Sequence, residues 1–214
     1  GMSGRIRTLV INTDLVDETE LPASVLDLTD PRFRGQVALA PSNGSFQDFI
    51  TALRETSGDA AAESWLAGMA ANDAQVYADN TAIVQAVGRG EVPMGLVNHY
   101  YNARAKAEDP SLPTENYFFA DGDIGSLLLT TAIGVLDTSE DVELADRLVA
   151  FMLGEEAQTF FSEETFEYPL AAGVAQADGL PPLDSVEVAT FDVDGLGGGL
   201  QRTLELIESS GLSG

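Results

Sequence analysis

Cysteine is absent from the 214-residue sequence, and histidine occurs once. Without cysteine the chain can form no disulfide, no thiolate metal site and no thiol nucleophile. The side chains left for metal binding are oxygen donors and one imidazole, which suit a hard cation better than a soft one. Any metal site in this chain is therefore expected to use oxygen ligands.

Basic residues are also scarce: ten lysines and arginines face 35 acidic residues, for a formal net charge of -25. Such a charge repels phosphate backbones and anionic lipid headgroups. Lys106 is the single lysine, and the arginines are scattered, so the sequence has no basic stripe. We therefore expect neither a nucleic-acid partner nor binding to an anionic membrane surface.

Long apolar runs are missing as well. No segment approaches the roughly 20 apolar residues of a membrane span, so no membrane insertion by this segment is predicted. No charged-then-apolar export signal opens the chain, which enters an apolar stretch at residues 6–11 almost at once. This abrupt start predicts that an amino-terminal portion has been left out.

The hydrophobic content of 44% is enough for a packed core. Strands are predicted at residues 5–12, 36–40, 94–97, 117–119 and 132–135. Helices are predicted from Ser45 onward and at 60–71, 81–87, 142–153 and 200–209. This alternation predicts an α/β fold with a mixed sheet flanked by helices. Ligands of such sheets bind at loops after strands, here the polar segments 41–45, 79–81 and 98–101.

Two of the predicted helices carry a clear apolar face. Ser45 with Asp48 forms a capping-box pattern at the start of the first helix. The apolar residues that recur at helical spacing after it are Phe46, Phe49, Ile50 and Leu53. In the segment 142–153 the side chains predicted to face inward are Val142, Ala145, Leu148, Val149 and Met152.

Two adjacent tyrosines, Tyr100 and Tyr101, follow the strand predicted at 94–97. Neighbouring side chains of a strand point to opposite faces, so these two converge only if the backbone turns there into a helix. Phenol has a pKa near ~10, but a trivalent cation favours the phenolate, which is a hard ligand. Taken alone, such a pair more often packs at a domain edge than binds a metal.

The tyrosines stand among motifs that occur in a fixed order along nearly the whole chain. These are DLTDP at 27–31, Gly35, APSNGSF at 40–46, NTAI at 80–83, NHYY at 98–101 and EYP at 167–169. In this combination the chain resembles the ferric-iron-binding solute-binding proteins of ABC importers. The resemblance implies a periplasmic-binding-protein-like fold of type II, with two lobes closing on the ligand. It assigns this chain mainly to the second, carboxy-terminal lobe.

The same resemblance implies that Tyr100 and Tyr101 supply phenolate ligands to Fe³⁺. It also implies a synergistic anion, phosphate or carbonate. The residues that match its helix-starting loop and its two asparagines are Asn43, Gly44, Ser45, Asn80 and Asn98. A serine or threonine is more usual at position 43, so the choice of anion stays open. Without the resemblance, Asn43, Ser45 and Asn80 would be interpreted as caps and turn residues.

Two further features are not assigned as ligands. In the family that the chain resembles, a ligand histidine comes from the first lobe, so His99 is expected to support the ligands or to lie on the surface. The pattern that begins at Asp192 starts like a calcium loop, but Leu196 and Thr203 stand where ligands belong. Neither feature therefore adds a metal ligand.

The resemblance also implies a plan for the domains. Residues 1–130 form the second lobe with an iron and anion half-site, and residues 131–181 form a helical segment that in relatives packs on the first lobe. Residues 182–214 form a tail and helix returning to the second lobe. With the first lobe absent, 131–181 is expected to expose an apolar face, to pair with another copy or to be rebuilt locally.

The leading hypothesis is an extracytoplasmic binding protein that delivers ferric iron to an ABC permease. An alternative keeps the fold and changes the ligand to an organic anion, a polyamine or thiamine. An enzyme is disfavoured, because the chain offers no nucleophile elbow, no cysteine and no second histidine for base-activated attack. Phenolate-to-iron charge transfer, seen as a visible absorption band, distinguishes the first hypothesis from the second.

Overall fold

The computed structural model describes residues 1–190 and 199–212. The calcium-like pattern at residues 192–195 lies outside the described residues. Within the described part of the chain, no helix has the length and apolar character needed to cross a membrane.

The chain folds into two compact units. The smaller unit comprises Gly1–Arg5 and Leu128–Val186, and the larger unit comprises Ile6–Leu127 and Glu187–Gly214. The first strand contributes its opening residues to the smaller unit and the rest to the larger one.

Strands and helices alternate along much of the chain. The strands are β1 Ser3–Asn12, β2 Val37–Leu39, β3 Gln75–Val76, β4 Met94–Asn98, β5 Thr114–Tyr117, β6 Leu128–Thr130 and β7 Tyr168–Pro169. The helices are α1 Gly44–Ser57, α2 Asp59–Ala71, α3 Asn80–Gly88, α4 His99–Glu108, α5 Val142–Met152, α6 Glu155–Glu163 and α7 Leu200–Ser209. The sequence patterns predict α2, α3, α5 and α7 to within one residue at each end, whereas they do not predict α6.

In the larger unit the strands form a mixed sheet in the order β3-β2-β4-β1-β5. Strand β2 is parallel to β3 and β4, whereas β1 is antiparallel to β4 and β5. Leu9 and Ile11 of β1 belong to one buried cluster, and Val10 belongs to another. Since alternate side chains of a strand point to opposite faces, both faces of the sheet are covered. The predicted α/β class with a mixed sheet flanked by helices is confirmed.

Helix α1 packs into the larger unit through its predicted apolar face. Phe46, Phe49, Ile50 and Leu53 are all buried. Trp65 of α2 meets the Phe49 ring edge-on, with 5.3 Å between the ring centroids. Full burial of each such side chain stabilises the fold by about 1.5–3 kcal/mol, so this helix is a main contributor to the core.

Two of the predicted short strands are misplaced. The strand predicted at 117–119 instead ends at Tyr117, because β5 takes its register from β1. The strand predicted at 132–135 is wrong, since those residues form no strand. The strand of this region is instead β6, Leu128–Thr130, which pairs with the opening residues of β1. The chain leaves the sheet after Thr131, whose N–H donates to the Ser3 carbonyl at 3.0 Å.

The smaller unit is organised around the opening residues of β1, which pair with β6 and β7. Glu167 is buried and accepts hydrogen bonds from the Ser3 hydroxyl and, at 3.0 Å, from Arg5 Nε. Gln158 of α6 donates to the Met2 carbonyl at 2.7 Å. Hydrogen bonds from polar side chains therefore hold residues 2–5 within this unit.

Helix α5 of the smaller unit presents its apolar side chains to the outside. Val142, Leu144, Leu148 and Phe151 are 53%, 56%, 55% and 52% exposed, and none of the residues in α5 is buried. The predicted inward orientation is therefore wrong for Val142 and Leu148, because no described segment covers that face. The other three positions predicted to face inward are partly buried.

Candidate functional site

The loop after β2 leads into α1 through a side-chain cap. Asn43 is the N-cap residue, and its Oδ1 accepts from the Ser45 N–H at 3.0 Å and from the Ser45 hydroxyl at 2.7 Å. The predicted capping box of Ser45 with Asp48 is wrong, because α1 begins at Gly44 and Ser45 lies inside its first turn. The asparagine satisfies an N–H group that has no partner within the helix.

A second helix start brings Asn80 to the same place. Helix α3 follows Asp79, whose carboxylate accepts from the Ala82 N–H at 2.8 Å. Asn80 is fully buried, and its Nδ2 lies 3.2 Å from Ser45 Oγ and 3.5 Å from Asn43 Oδ1. The structure thus brings together three residues that the sequence resemblance assigns to an anion.

The same cluster contains a buried arginine that the sequence analysis does not assign. Arg7 of β1 is 1% exposed and lies opposite Asn98 of β4 in the sheet. Its Nη1 donates to Ser45 Oγ at 3.0 Å and to Asn98 Oδ1 at 3.3 Å. An arginine within the apolar stretch 6–11 is the pattern that could have identified it, since arginine is rarely buried without polar partners.

Burial lowers the pKa of the Arg7 guanidinium to about 10, while the acidic groups of Asp48, Tyr101 and Tyr100 act in the opposite direction. Arg7 is therefore cationic at neutral pH in spite of its burial. A positive charge held away from water acts strongly on its neighbours, because the local dielectric is low. The cluster thus favours negative charge, whether on an anion or on a phenolate.

The two tyrosines lie where β4 passes directly into α4. The predicted loop at 98–101 is wrong, because β4 ends at Asn98 and α4 begins at His99 with no linker between them. The rings of Tyr100 and Tyr101 are stacked, with centroids 4.2 Å apart and planes inclined by 29°. The change from strand to helix therefore places on one side two rings that a continuous strand would separate.

The two phenol rings differ in their surroundings. Tyr100 is buried, and the Arg104 guanidinium lies 5.3 Å from its ring centroid. Tyr101 is half-buried and lines an open cavity of about 630 Å³ between α3 and α4. A solute can therefore reach the tyrosine pair through Tyr101.

His99 is fully buried at the start of α4. Its Nδ1 accepts from the Ile6 N–H at 3.1 Å, and its carbonyl accepts from Asn116 Nδ2 at 2.9 Å. Its ring meets the Tyr100 ring edge-on, with the centroids 6.0 Å apart. These contacts fix the first turn of α4 against β1 and β5, and so they hold the tyrosines in place.

Carboxylate and imidazole side chains do not form an alternative metal site in the described residues. No group of three or more histidine, aspartate or glutamate side chains there is arranged to hold a metal ion. The candidate for metal binding is the tyrosine pair, because phenolate oxygen is a hard ligand, and the candidate for anion binding is the polar cluster around Arg7.

The sequence matches the family model of the bacterial extracellular solute-binding proteins over residues 2–193. The chain belongs to this family. Membership agrees with the prediction of a binding protein and not an enzyme. It also confirms the family resemblance that the ordered motifs carry.

The relatives of this solute-binding protein include proteins named for iron. The "Fe(3+)-binding periplasmic protein" of Serratia marcescens is 30% identical over 215 residues, covering 99% of this chain and 63% of the relative. Iron-bound HitA from Pseudomonas aeruginosa has a TM-score of 0.92 at 32% identity, covering 99% of this chain and 68% of HitA. A Trichodesmium protein in complex with iron and citrate has a TM-score of 0.87 at 29% identity, covering 100% of this chain and 70% of the Trichodesmium protein.

These structures confirm the type II periplasmic-binding-protein-like fold. The chain spans 63% of the length of the Serratia marcescens relative, which is less than two thirds.

Proposed function

We propose that this chain is part of an extracytoplasmic solute-binding protein that captures ferric iron for an ABC permease. Tyr100 and Tyr101 are the proposed ligands, as phenolates. The observation that carries the proposal is the stacked tyrosine pair at the junction of β4 and α4, close enough to the buried Arg7 for their charges to interact. The names of the relatives support the choice of metal, since the Serratia marcescens protein is named for Fe(3+) and the HitA structure is iron-bound.

The chemistry of the pair suits a trivalent cation. Phenol loses its proton near pH ~10 in water, and both a metal ion and a nearby guanidinium favour the phenolate. Arg7 places a buried positive charge beside the proposed ligands, which suits the negative charge that phenolate ligands carry. Two phenolates and one anion leave part of an octahedral sphere open, so other ligands complete it.

The proposed site of the synergistic anion, phosphate or carbonate, is the cluster around Arg7. The residues assigned to it from the sequence are Asn43, Gly44, Ser45, Asn80 and Asn98. In this structure both Ser45 donors are bound to Asn43 Oδ1, so an anion that takes them must displace the asparagine side chain. Arg7 joins the set as its one cation, because it contacts both Ser45 and Asn98.

The test is a titration of the protein with ferric iron, watched in the visible range. Wild type is expected to develop a phenolate-to-iron absorption band, and the double variant Tyr100→Phe with Tyr101→Phe is expected to lose it completely. Tyr77→Phe is the matched control, because the Tyr77 hydroxyl makes a long contact of 3.5 Å to Gln75 and is not among the groups of the polar cluster around Arg7. A band that survives the double substitution would exclude these two ligands.

An organic anion is the second candidate for the bound solute. The observation in its favour is the open cavity at Tyr101, which also includes Arg104 and Arg89 among its lining residues. The Trichodesmium neighbour binds iron together with citrate. Citrate that binds to the iron-free protein with unchanged affinity in the double tyrosine variant would favour this candidate over iron.

We further propose that residues 131–181 pack on the first lobe of the complete binding protein. The exposed apolar side chains of α5 support this arrangement, because a face of this kind is normally covered by a partner. Where no such lobe is present, the same face favours association between copies of the chain.

A further inference from the structure

The polar cluster leaves two buried atoms without a hydrogen-bond partner. Among the described residues, Arg7 Nη2 and Asn80 Oδ1 are buried side-chain atoms for which no partner is present. Both side chains meet at Ser45 Oγ, which lies 3.0 Å from Arg7 Nη1 and 3.2 Å from Asn80 Nδ2. Buried polar groups are almost always paired, so two such atoms in one cluster point to a binding site for a polar ligand.

The hydrogen-bond network fixes which of these atoms donates and which accepts. Asn43 Oδ1 is an acceptor, because it takes the Ser45 N–H at 3.0 Å. It also takes the Ser45 hydroxyl proton at 2.7 Å, so Ser45 Oγ is left as an acceptor for its other neighbours. The Asn80 atom that faces both acceptors must therefore be its NH₂ group, which leaves its oxygen unpaired.

The unpaired atoms consequently form one donor and one acceptor. Arg7 Nη2 can donate to any anionic oxygen. Asn80 Oδ1 can only accept, so an oxyanion without a proton would place lone pairs against it. An oxyanion that carries one O–H group can satisfy both atoms at once.

We propose that this site selects oxyanions that carry a proton, hydrogen phosphate or bicarbonate, over oxyanions of the same shape that do not. Arg7 Nη2 donates to an oxygen of the anion, and Asn80 Oδ1 accepts its O–H. The inference rests on the proposed anion site and specifies the class of anion that it holds.

The test compares anions of matched shape by calorimetry on the whole chain near pH 7, at constant ionic strength, without iron and again with one equivalent of ferric iron. Phosphate and arsenate carry a proton under these conditions, whereas sulfate and selenate do not. Bicarbonate and nitrate form the corresponding planar pair. In each shape class, tetrahedral or planar, the anion that carries a proton is expected to bind at least about tenfold more tightly than the anion that does not.

Two variants test which side chain causes the preference for anions that carry a proton. Asn80→Ala is expected to bring the ratio of phosphate to sulfate affinity close to one, since it removes the acceptor. Arg7→Gln is expected to weaken both anions while keeping their ratio above one. Circular dichroism identifies a variant that fails to fold, and the comparison of anions on wild type needs no variant.

The outcomes separate this inference from the proposed function. Sulfate binding as tightly as phosphate, or no anion binding with or without iron, overturns the inference. An iron absorption band with no preference between the anions would leave iron binding intact and remove only the selectivity. Anion selectivity without any iron absorption band would support this inference and contradict the proposed iron binding.

Discussion

Helices α1 and α5 both carry an apolar face at helical spacing, yet they differ in what covers it. In α1, of the larger unit, Phe46 and Phe49 are buried in the core. In α5, of the smaller unit, Leu148 and Phe151 are more than half exposed. The same local pattern thus gives a core helix in one unit and an uncovered helix in the other. Periodicity identifies an amphipathic helix, but it does not provide the partner.

The two units also use polar groups differently. The larger unit buries a cation, Arg7, in a cluster with unpaired atoms, which is an arrangement suited to binding. The smaller unit buries a carboxylate, Glu167, that is paired with Arg5 and Ser3. A paired buried charge holds structure together, whereas an incompletely paired one leaves room for a ligand.

The largest expected effect compares the same substitution in both units. Phe46→Ala in the core of the larger unit is expected to lower the free energy of unfolding by about 3–5 kcal/mol, because it leaves a cavity. Phe160→Ala in the smaller unit is expected to change it by about 0.5 kcal/mol or less, since Phe160 is 55% exposed. Denaturant titrations measure both. Equal losses would mean that the Phe160 ring is covered in solution.

A smaller effect tests whether the smaller unit depends on its buried polar contacts. Glu167→Ala is expected to lower the free energy of unfolding by about 1–3 kcal/mol, because Arg5 Nε and the Ser3 hydroxyl lose their acceptor. Glu163→Ala, an exposed glutamate of α6, is the matched control. If both variants unfold at the same denaturant concentration, the contact with Arg5 does not stabilise this unit.

The uncovered face of α5 leads to a prediction about association. Leu148→Glu is expected to reduce binding of an apolar dye and any self-association seen by light scattering. Its effect on the free energy of unfolding is expected to stay within about 0.5 kcal/mol. Leu26→Glu serves as the control, because Leu26 is an exposed leucine of the larger unit. Undiminished dye binding by Leu148→Glu would place the apolar surface elsewhere.

The smallest expected effect concerns an exposed ion-pair group in the larger unit. The pKa of Asp59 lies below its usual value, mainly because Arg202 donates to it at 2.9 Å, with a further bond from Arg54. Its contribution to stability is therefore full above the unfolded-state pKa and is lost as the pH falls through the lower folded-state pKa.

Asp59→Asn is accordingly expected to melt slightly below wild type at pH 7, with the difference closing as the pH falls below about 4. Thermal melts between pH 7 and pH 3 measure it. A difference that grows with acid would reverse the sign and contradict the assignment.

Much of the fold can be predicted from local sequence patterns, and the predictions that fail do so for physical reasons. The apolar face of α1 follows from the spacing of Phe46, Phe49 and Ile50. The cap of that helix does not, because both Asn43 and Ser45 are good caps and only the backbone geometry decides between them. The strand predicted at 132–135 fails because a short strand exists only where a neighbouring strand pairs with it.

The sequence by itself determined the family, the amphipathic helices and the tyrosine pair, because motifs and periodicity are properties of neighbouring residues. Only the tertiary structure decided that Arg7 is buried against Ser45 and Asn98, and that α5 has no cover in the described chain. Both depend on contacts between distant segments, since burial of a charge or of an apolar face is set by what the rest of the chain places against it.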